Sequence, residues 1–259
     1  MGIVLLLVAA SDLRVLTFNI AGLPQVVSQA MPARDTAKIG ALLRDYDVAL
    51  VQEDFWYHAE LIGNDRHVYR SRPYSETPSF FDIGDGLNQL SKFPFARFER
   101  SAWRQCSGAL ACSNDCMASK GYSFSVLQLP NMLVHLYNLH MDAGECATDF
   151  PARAAQLKQL ARTIAKQSKD MPLIVAGDTN LDVSFPEDRE AFEAFLRETG
   201  LRDSCRVVSC GRELIDRVMV RGPLEPMSWS TPETFAGLSD HEAVSVRIRY
   251  TTEQLISAF

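Results

Sequence analysis

Short apolar segments that carry polar residues at one end recur along this chain, and they constrain its fold more than any other feature. Four segments, 13–20, 48–53, 132–142 and 172–180, have the length and the apolar pattern of β-strands. They carry polar side chains at or near their C-terminal ends, and these are Asn19, Glu53, His140, Asp178 and Asn180. Two later strands, 213–220 and 242–250, have polar residues near their starts instead, and these are Asp216, Asp240 and His241.

The positions of these polar residues predict how the strands run. Residues at the C-terminal ends of parallel strands share one edge of a sheet, whereas residues at strand starts reach that edge only if their strands are antiparallel to the others. If all these polar residues meet, the last two strands must run against their partners. This excludes a purely parallel sheet and favours mixed or antiparallel sheets packed face to face, with helices outside.

Helical patterns between the strands place the chain in the α/β (α+β) class. One helix is predicted over 36–46, a second opens at Pro151, and a third runs from about Pro186 to near Gly200. The chain has 259 residues, 47% of them hydrophobic, and shows neither a linker nor a repeat, so we predict one domain over residues 13–259.

The first twelve residues and the cysteines bear on cellular location. Residues 1–12, "MGIVLLLVAASD", are too short an apolar run to span a bilayer, and they are read as a signal remnant or as a buried first strand. The chain has six cysteines, an even number, and two pairs of them, Cys106/Cys116 and Cys205/Cys210, lie close in sequence. This pattern allows disulfides. We therefore expect a secreted or periplasmic protein; a cytoplasmic protein with six reduced thiols is the alternative.

Charge and side-chain chemistry narrow the function. A net charge of −6 gives no strong basic patch for nucleic acid, although bound cations can neutralise an acidic cleft locally. Each polar residue taken alone is explained by a turn or a cap, but their recurrence at the ends of apolar strands indicates a shared site. Carboxylate and amide oxygens suit a hard cation, Mg²⁺ first, with Mn²⁺ or another divalent cation as the alternative.

A family resemblance extends from residue 13 to about 250. Six stretches resemble, in order, the endonuclease/exonuclease/phosphatase superfamily, also called deoxyribonuclease-I-like: "LTFNIAGLP", "VALVQEDF", "YNLHMDAG", "IVAGDTNL", "LIDRVMVRG" and "LSDHEAVSV". Two more, "DGLNQLSKFPF" (85–95) and "DCMASKGYSF" (115–124), are similar to the neutral sphingomyelinase branch. The resemblance implies a four-layered α/β sandwich, in which two packed mixed or antiparallel sheets are flanked by helices, and a metal-dependent phosphoester hydrolase.

The resemblance also implies roles for the metal side of the site. Glu53 and Asn19 would hold the divalent cation, and Asp240 would help to order its ligand shell. His241, oriented by Asp216, would act as the general base on water or as the partner of the scissile phosphate.

A second group would act on the other side of the phosphate. His140 would serve as general acid or phosphate donor, while Asp178 and Asn180 would orient the nucleophile and stabilise the transition state. A further carboxylate is expected behind His140, and the candidates are Asp85 and, as alternatives, Glu76 and Asp82.

Three functions compete. The favoured one is a phosphodiesterase of sphingomyelinase or phospholipase-C-like type, with a phospholipid substrate and peripheral membrane contact. The second keeps the same site for DNA or RNA cleavage. The third, a binding module with a decayed site, is disfavoured because every polar member of the set is present. The sequence predicts no oligomeric state.

Overall fold

A computed structural model describes residues 4–26, 28, 30–75, 83–108, 115–117 and 119–257 of the chain. For residues 4–9, 117 and 253–257 it describes the backbone alone. Glu76 and Asp82, the alternative candidates for the acid behind His140, lie outside the described residues, as do Cys112 and the first three residues of the N-terminal segment.

The described strands form two six-stranded sheets. The first sheet has the order β11-β12-β1-β2-β4-β3, and its strands are β1 (Val4–Asn19), β2 (Val48–Gln52), β3 (Tyr69–Arg70), β4 (Asn88–Ser91), β11 (Leu224–Ser230) and β12 (Val244–Ser257). The second has the order β5-β6-β7-β8-β10-β9, and its strands are β5 (Phe95–Ala102), β6 (Gly121–Leu129), β7 (Met132–His140), β8 (Leu173–Asp178), β9 (Arg202–Asp203) and β10 (Asp216–Arg221).

Strand directions confirm the prediction made from the polar ends. β1 is parallel to β2 and β7 is parallel to β8, whereas β12 pairs antiparallel with β1 and β10 pairs antiparallel with β8. The starts of β10 and β12 therefore lie at the same edge as the C-terminal ends of the other four strands. The fold class predicted from the sequence is confirmed.

Five helices are present among the described residues: α1 (Pro32–Leu43), α2 (His58–Asn64), α3 (Asp149–Gln167), α4 (Pro186–Thr199) and α5 (Ser204–Val208). The first helix begins four residues before the predicted start, with Pro32 in its first turn, where a missing N–H costs nothing. α4 begins at Pro186 as predicted and ends at Gly200, whose φ of 69° is the left-handed cap that glycine adopts without strain. None of the described helices is long and apolar enough to cross a membrane.

Three apolar clusters hold the layers together. Alternate residues of β1 point to opposite faces, so that Leu13 and Val15 pack between the sheets while Leu16 and Phe18 pack towards α1. A third cluster joins the outer face of the second sheet to α3 and α4. The order of layers is thus helices, sheet, sheet, helices.

The space between the sheets changes from apolar to polar towards one edge. Along β7, the inward residues are Val134, Leu136, Asn138 and His140 in turn, and all four are buried. The same progression from aliphatic to amide side chains occurs on β1, which ends at Asn19. The apolar part supplies the core, and the polar edge carries the candidate site.

Disulfides close two loops. Cys106 pairs with Cys116 and Cys205 pairs with Cys210, with Cα–Cα distances of 5.4 and 4.9 Å. Both pairs were allowed by the cysteine spacing. None of the cysteines in the described ranges is a free thiol.

Candidate active site

Strand register brings three of the predicted side chains to one level. In the second sheet, Asp178 lies opposite His140 on β7 and opposite Asp216 on β10. In the first sheet, Asn19 lies opposite Gln52, so that Glu53 follows at the same edge. Sheet pairing alone therefore gathers residues that are far apart in sequence.

Asp178 connects the two sheets through its side chain. Its Oδ2 accepts a hydrogen bond of 3.0 Å from Asn19 Nδ2, which also donates to Glu53 Oε1 at 3.0 Å. The Nε2 atoms of His140 and His241 lie 3.3 and 3.7 Å from the same Asp178 oxygen. Five of the predicted residues thus form one contiguous cluster.

His241 is oriented by Asp216, as the resemblance implied. Its Nδ1 lies 2.8 Å from Asp216 Oδ2, which leaves Nε2 directed towards Asp178 and 3.4 Å from Asn19 Nδ2. Burial alone would lower the pKa of His241, but the hydrogen bond with Asp216 and the negative charges of Asp178, Asp216 and Asp240 raise this pKa to about 10. The imidazole therefore carries a proton on Nδ1, and in this state of the site it is cationic at neutral pH.

His140 has the opposite environment. It is 1% exposed, and burial, followed by the positive charges of Lys120 and His241, holds its pKa well below the ordinary value. Its Nδ1 is buried without a hydrogen-bond partner in the described part of the chain. The two histidines are thus distinct, His140 being neutral and His241 cationic.

Asp85, the carboxylate expected behind His140, has other partners in the structure. The Asp85 carboxylate forms an ion pair with Arg100 and accepts the Leu87 N–H at 3.0 Å. No hydrogen bond joins it to His140 within the described ranges. The half-buried guanidinium of Arg100 therefore pairs with this acid, and no local sequence pattern around Asp85 predicts that partner.

Backbone conformation adds order to the strand ends. Glu53, Asn180 and Ala21 have φ values of 55°, 50° and 48°, in the left-handed region that costs a non-glycine residue about 1–2 kcal/mol. Two of these turns are closed by site side chains, because Asn19 Oδ1 accepts from Ala21 N and Asp178 Oδ1 accepts from Asn180 N, each at 3.0 Å. The strained turns therefore fix the carboxamide of Asn19 and the carboxylate of Asp178.

Asp240 lies at the rim, not in the buried cluster. Its carboxylate is exposed and its Oδ1 accepts from Ser239 Oγ at 3.2 Å. Asp240 and His241 both line a cavity of about 280 Å³ beside the cluster. The negative charge of Asp240 reaches His241, while the ligand-ordering role expected for it stays a prediction.

The donor set fits a hard cation. Carboxylate oxygens of Asp178 and Asp216 lie within 4.8 Å of each other and of a ring nitrogen of His241. Burial, with the nearby charge of Asp178, raises the pKa of Glu53, and the buried Asp216 Oδ1 has no hydrogen-bond partner among the described residues. Carboxylates that lie close together repel one another unless positive charge balances them. A divalent cation that prefers oxygen ligands, such as Mg²⁺, supplies that charge. The donors named from the sequence, Glu53 and Asn19, lie at the edge of this set.

Lys120 is a cation at the site that the sequence reasoning missed. Its Nζ contacts Asp115 Oδ1 at 2.6 Å and donates to Met141 O at 3.1 Å. Its positive charge opposes the rise that burial causes in the pKa of Glu53 and adds to the lowering that burial causes in the pKa of His140. Asn180 Nδ2 donates to the same Met141 carbonyl. The stretch around Lys120 was noted for its resemblance to the sphingomyelinase branch, but a single lysine in a loop carries no local signal of such a position.

Fold and site together define the class of protein. Residues 16–241 match the model of the Endonuclease/Exonuclease/phosphatase family, and the chain belongs to this family. The resemblance found in the sequence is confirmed.

Particular relatives place the chain near the sphingomyelinase branch. It is 32% identical over 277 aligned positions to a sphingomyelinase of Mycobacterium tuberculosis, in an alignment that covers 95% of this chain but 54% of that protein. The chain thus spans about half the length of this curated relative.

Two solved structures have the same fold. A mutant of beta toxin from Staphylococcus aureus with bound magnesium ions matches with a TM-score of 0.68 and 18% identity, over 91% of this chain and 99% of that one. D. rerio TDP2, complexed with a single-strand DNA product, matches with a TM-score of 0.65 and 16% identity, over 92% of this chain and 99% of the other. At these identities the likeness shows the fold alone.

Proposed function

We propose that this protein is a Mg²⁺-dependent phosphodiesterase of sphingomyelinase or phospholipase-C-like type. The observation that carries the proposal is the cluster around Asp178, which joins Asn19, Glu53 and His241 at the edge of the first sheet to His140 at the edge of the second. A phosphodiester resists attack because its anionic oxygens repel nucleophiles, so a site for it needs positive charge, a proton carrier and a positioned water.

Glu53 and Asn19 would hold the cation, with Asp240 ordering its ligand shell and Mn²⁺ as an alternative ion. When bound, the cation neutralises phosphate charge and stabilises charge that develops in the transition state. The magnesium in the beta toxin structure supports this part of the proposal, as does the buried Asp216 Oδ1, which has no hydrogen-bond partner in the described part of the chain.

The chain's own residues divide the remaining work. His241, held by Asp216 at Nδ1 and protonated on both ring nitrogens, presents Nε2–H to a phosphate oxygen and donates a hydrogen bond to it. Asp178 and Asn180 orient the attacking water, and Asp178 Oδ2 is the carboxylate oxygen shared by both histidines. Neutral His140 faces the phosphate from the other sheet as a hydrogen-bond donor. It serves as acid for the leaving oxygen once the negative charge of the bound phosphate raises its pKa and it takes up a proton.

A phospholipid is favoured as substrate over nucleic acid. The net charge of −6 opposes general attraction to a polyanion, and the mycobacterial relative is a sphingomyelinase. Peripheral contact with a lipid surface follows from such a substrate. The TDP2 neighbour with DNA keeps nucleic-acid cleavage as the second candidate.

We expect purified protein with Mg²⁺ to release phosphocholine from sphingomyelin vesicles and to leave plasmid DNA intact. Quantified phosphocholine and the fraction of nicked plasmid, measured on the same preparation, decide between the two candidates. Nicked DNA with untouched lipid would establish the nuclease function instead. If the protein cleaves neither sphingomyelin nor DNA, the result would favour the third hypothesis, a binding module with a decayed site.

Export is part of the proposal and is supported by the Cys106–Cys116 and Cys205–Cys210 disulfides, which persist in oxidising compartments. Six free thiols in the denatured protein would contradict it.

A further inference from the structure

A fully buried polar network lies directly beneath the candidate site. Gln52 Nε2 donates to Thr17 Oγ1 at 3.0 Å within the first sheet and to Asn138 Oδ1 at 2.6 Å across to the second. Asn138 Nδ2 in turn donates to the carbonyl oxygens of Val51 at 2.9 Å and Asn88 at 3.0 Å. The side chains of Thr17, Gln52 and Asn138 form a bridge between the sheets, and each of these residues is 0% exposed.

The bridge adjoins the site in sequence as well as in space. Thr17 precedes Asn19 by two residues on β1, and Asn138 precedes His140 by two residues on β7. Gln52 is the last residue of β2 and is followed by Glu53. Each bridge residue is thus one or two positions before a site residue in the chain: Asn19 and Glu53, which are proposed to hold the cation, or His140, the proposed acid.

Stability alone does not account for this bridge. Deeper between the same sheets, the facing residues are aliphatic and need no hydrogen bonds. A buried polar contact contributes little more than apolar packing of equal volume, and Gln52 Oε1 is buried without a hydrogen-bond partner in the described ranges. Hydrogen bonds differ from apolar packing in direction, so they fix the relative placement of two sheets that could otherwise slide.

We propose that Gln52 and Asn138 are positioning residues that set the distance between the two halves of the site. This inference rests on the proposed phosphodiesterase function. It adds residues that hold the catalytic groups of the two sheets at a fixed separation. Displacement of reacting groups by about 1 Å can cost about 10²-fold in rate. A bridge that holds Glu53 and His140 in register therefore acts on turnover without touching the substrate.

The test compares Gln52→Leu with Gln89→Leu. Gln89 is a matched control because it is 1% exposed and also bridges the sheets, donating to Ser123 Oγ at 3.0 Å and accepting from Ser125 Oγ at 2.5 Å. Within the described ranges these side-chain hydrogen bonds reach neither the bridge side chains nor the site. For bis-p-nitrophenyl phosphate, we expect Gln52→Leu to lower kcat about 10-fold or more with little change in KM. Gln89→Leu should keep kcat within about 2-fold of wild type, with a comparable loss of thermal stability.

If Gln52→Leu does not fold, Thr17→Val tests the same bridge. It keeps the side-chain shape and removes one acceptor of the bridge, so a drop in kcat of about 3-fold is expected. Wild-type kcat in either folded bridge variant, or an equal drop in Gln89→Leu, would overturn the proposal.

A second readout is independent of catalysis. Ring-nitrogen NMR shifts of His140 in the metal-free protein should change in the bridge variants and stay unchanged in Gln89→Leu. Unchanged His140 shifts in a folded Gln52→Leu protein would contradict the positioning role. A wild-type protein that cleaves no phosphodiester would refute the proposed function, while these shifts would still decide whether the bridge positions His140.

Discussion

Replacing His241 with alanine is expected to lower kcat/KM for phosphodiester hydrolysis by about 10²- to 10³-fold, the range for loss of one hydrogen-bond donor to the charge that develops in the transition state. Two contacts give the reason. Asp216 holds the imidazole by its Nδ1 at 2.8 Å, and Nε2 points into the cluster towards Asp178. Alanine removes the group that faces the phosphate and leaves the Asp216 carboxylate without its partner.

The measurement is the rate of p-nitrophenol release from bis-p-nitrophenyl phosphate at saturating Mg²⁺, with circular dichroism to verify the fold. His58→Ala is the matched control, because His58, the first residue of α2, is a half-buried histidine that pairs with Asp54 in the segment before that helix and with no member of the cluster in the described ranges. Near-normal rates are expected for it. An active His241→Ala protein, or an equal loss in both variants, would remove His241 from the mechanism.

The second large effect is expected from Glu53→Gln. Glutamine keeps the shape and can still accept the hydrogen bond from Asn19 Nδ2, so the change removes a negative charge with little steric cost. Weaker supporting contacts around metals already cost about 10- to 100-fold in affinity when removed. We expect the Mg²⁺ dissociation constant to rise by about that factor or more, with activity partly recovered at high Mg²⁺.

Isothermal titration of the metal-free protein with Mg²⁺ measures this directly. Glu60→Gln on α2 is the matched control, since Glu60 is exposed and lies outside the cluster. Its dissociation constant should equal that of wild type. An unchanged constant in Glu53→Gln would show that the cation is bound elsewhere, for which Asp178 and Asp216 are the nearest donors.

Much of this architecture could be predicted because its signals are local. An apolar pattern marks the major strands, alternating with polar residues in β1 and continuous in β8, and a polar residue where the pattern stops marks the strand's end, as Asn19 and Asp178 do. The antiparallel direction of β10 and β12 followed from the positions of Asp216 and His241 near strand starts. These inferences need only the local residue pattern and the assumption that the polar residues of one site lie at the same edge of the sheets.

The remaining features depend on contacts between distant segments. The hydrogen bond from Asn19 to Asp178 joins residues 159 positions apart, and the bond from Gln52 to Asn138 spans 86. Arg100 captures Asp85, while Lys120 reaches the site from a loop. Tertiary packing decides which distant side chains meet, and a local sequence pattern does not predict it. From a single sequence such contacts can be expected only where the chain resembles a known family.

The most direct test of the central claim is hydrolysis of bis-p-nitrophenyl phosphate by the wild-type protein before and after removal of divalent cations. The claim is that the cluster joining the two sheets at Asp178 works with a divalent cation on a phosphodiester. It predicts that EDTA abolishes p-nitrophenol release and that excess Mg²⁺ restores it. Hydrolysis that continues unchanged in EDTA, or none with any divalent cation, would contradict the claim.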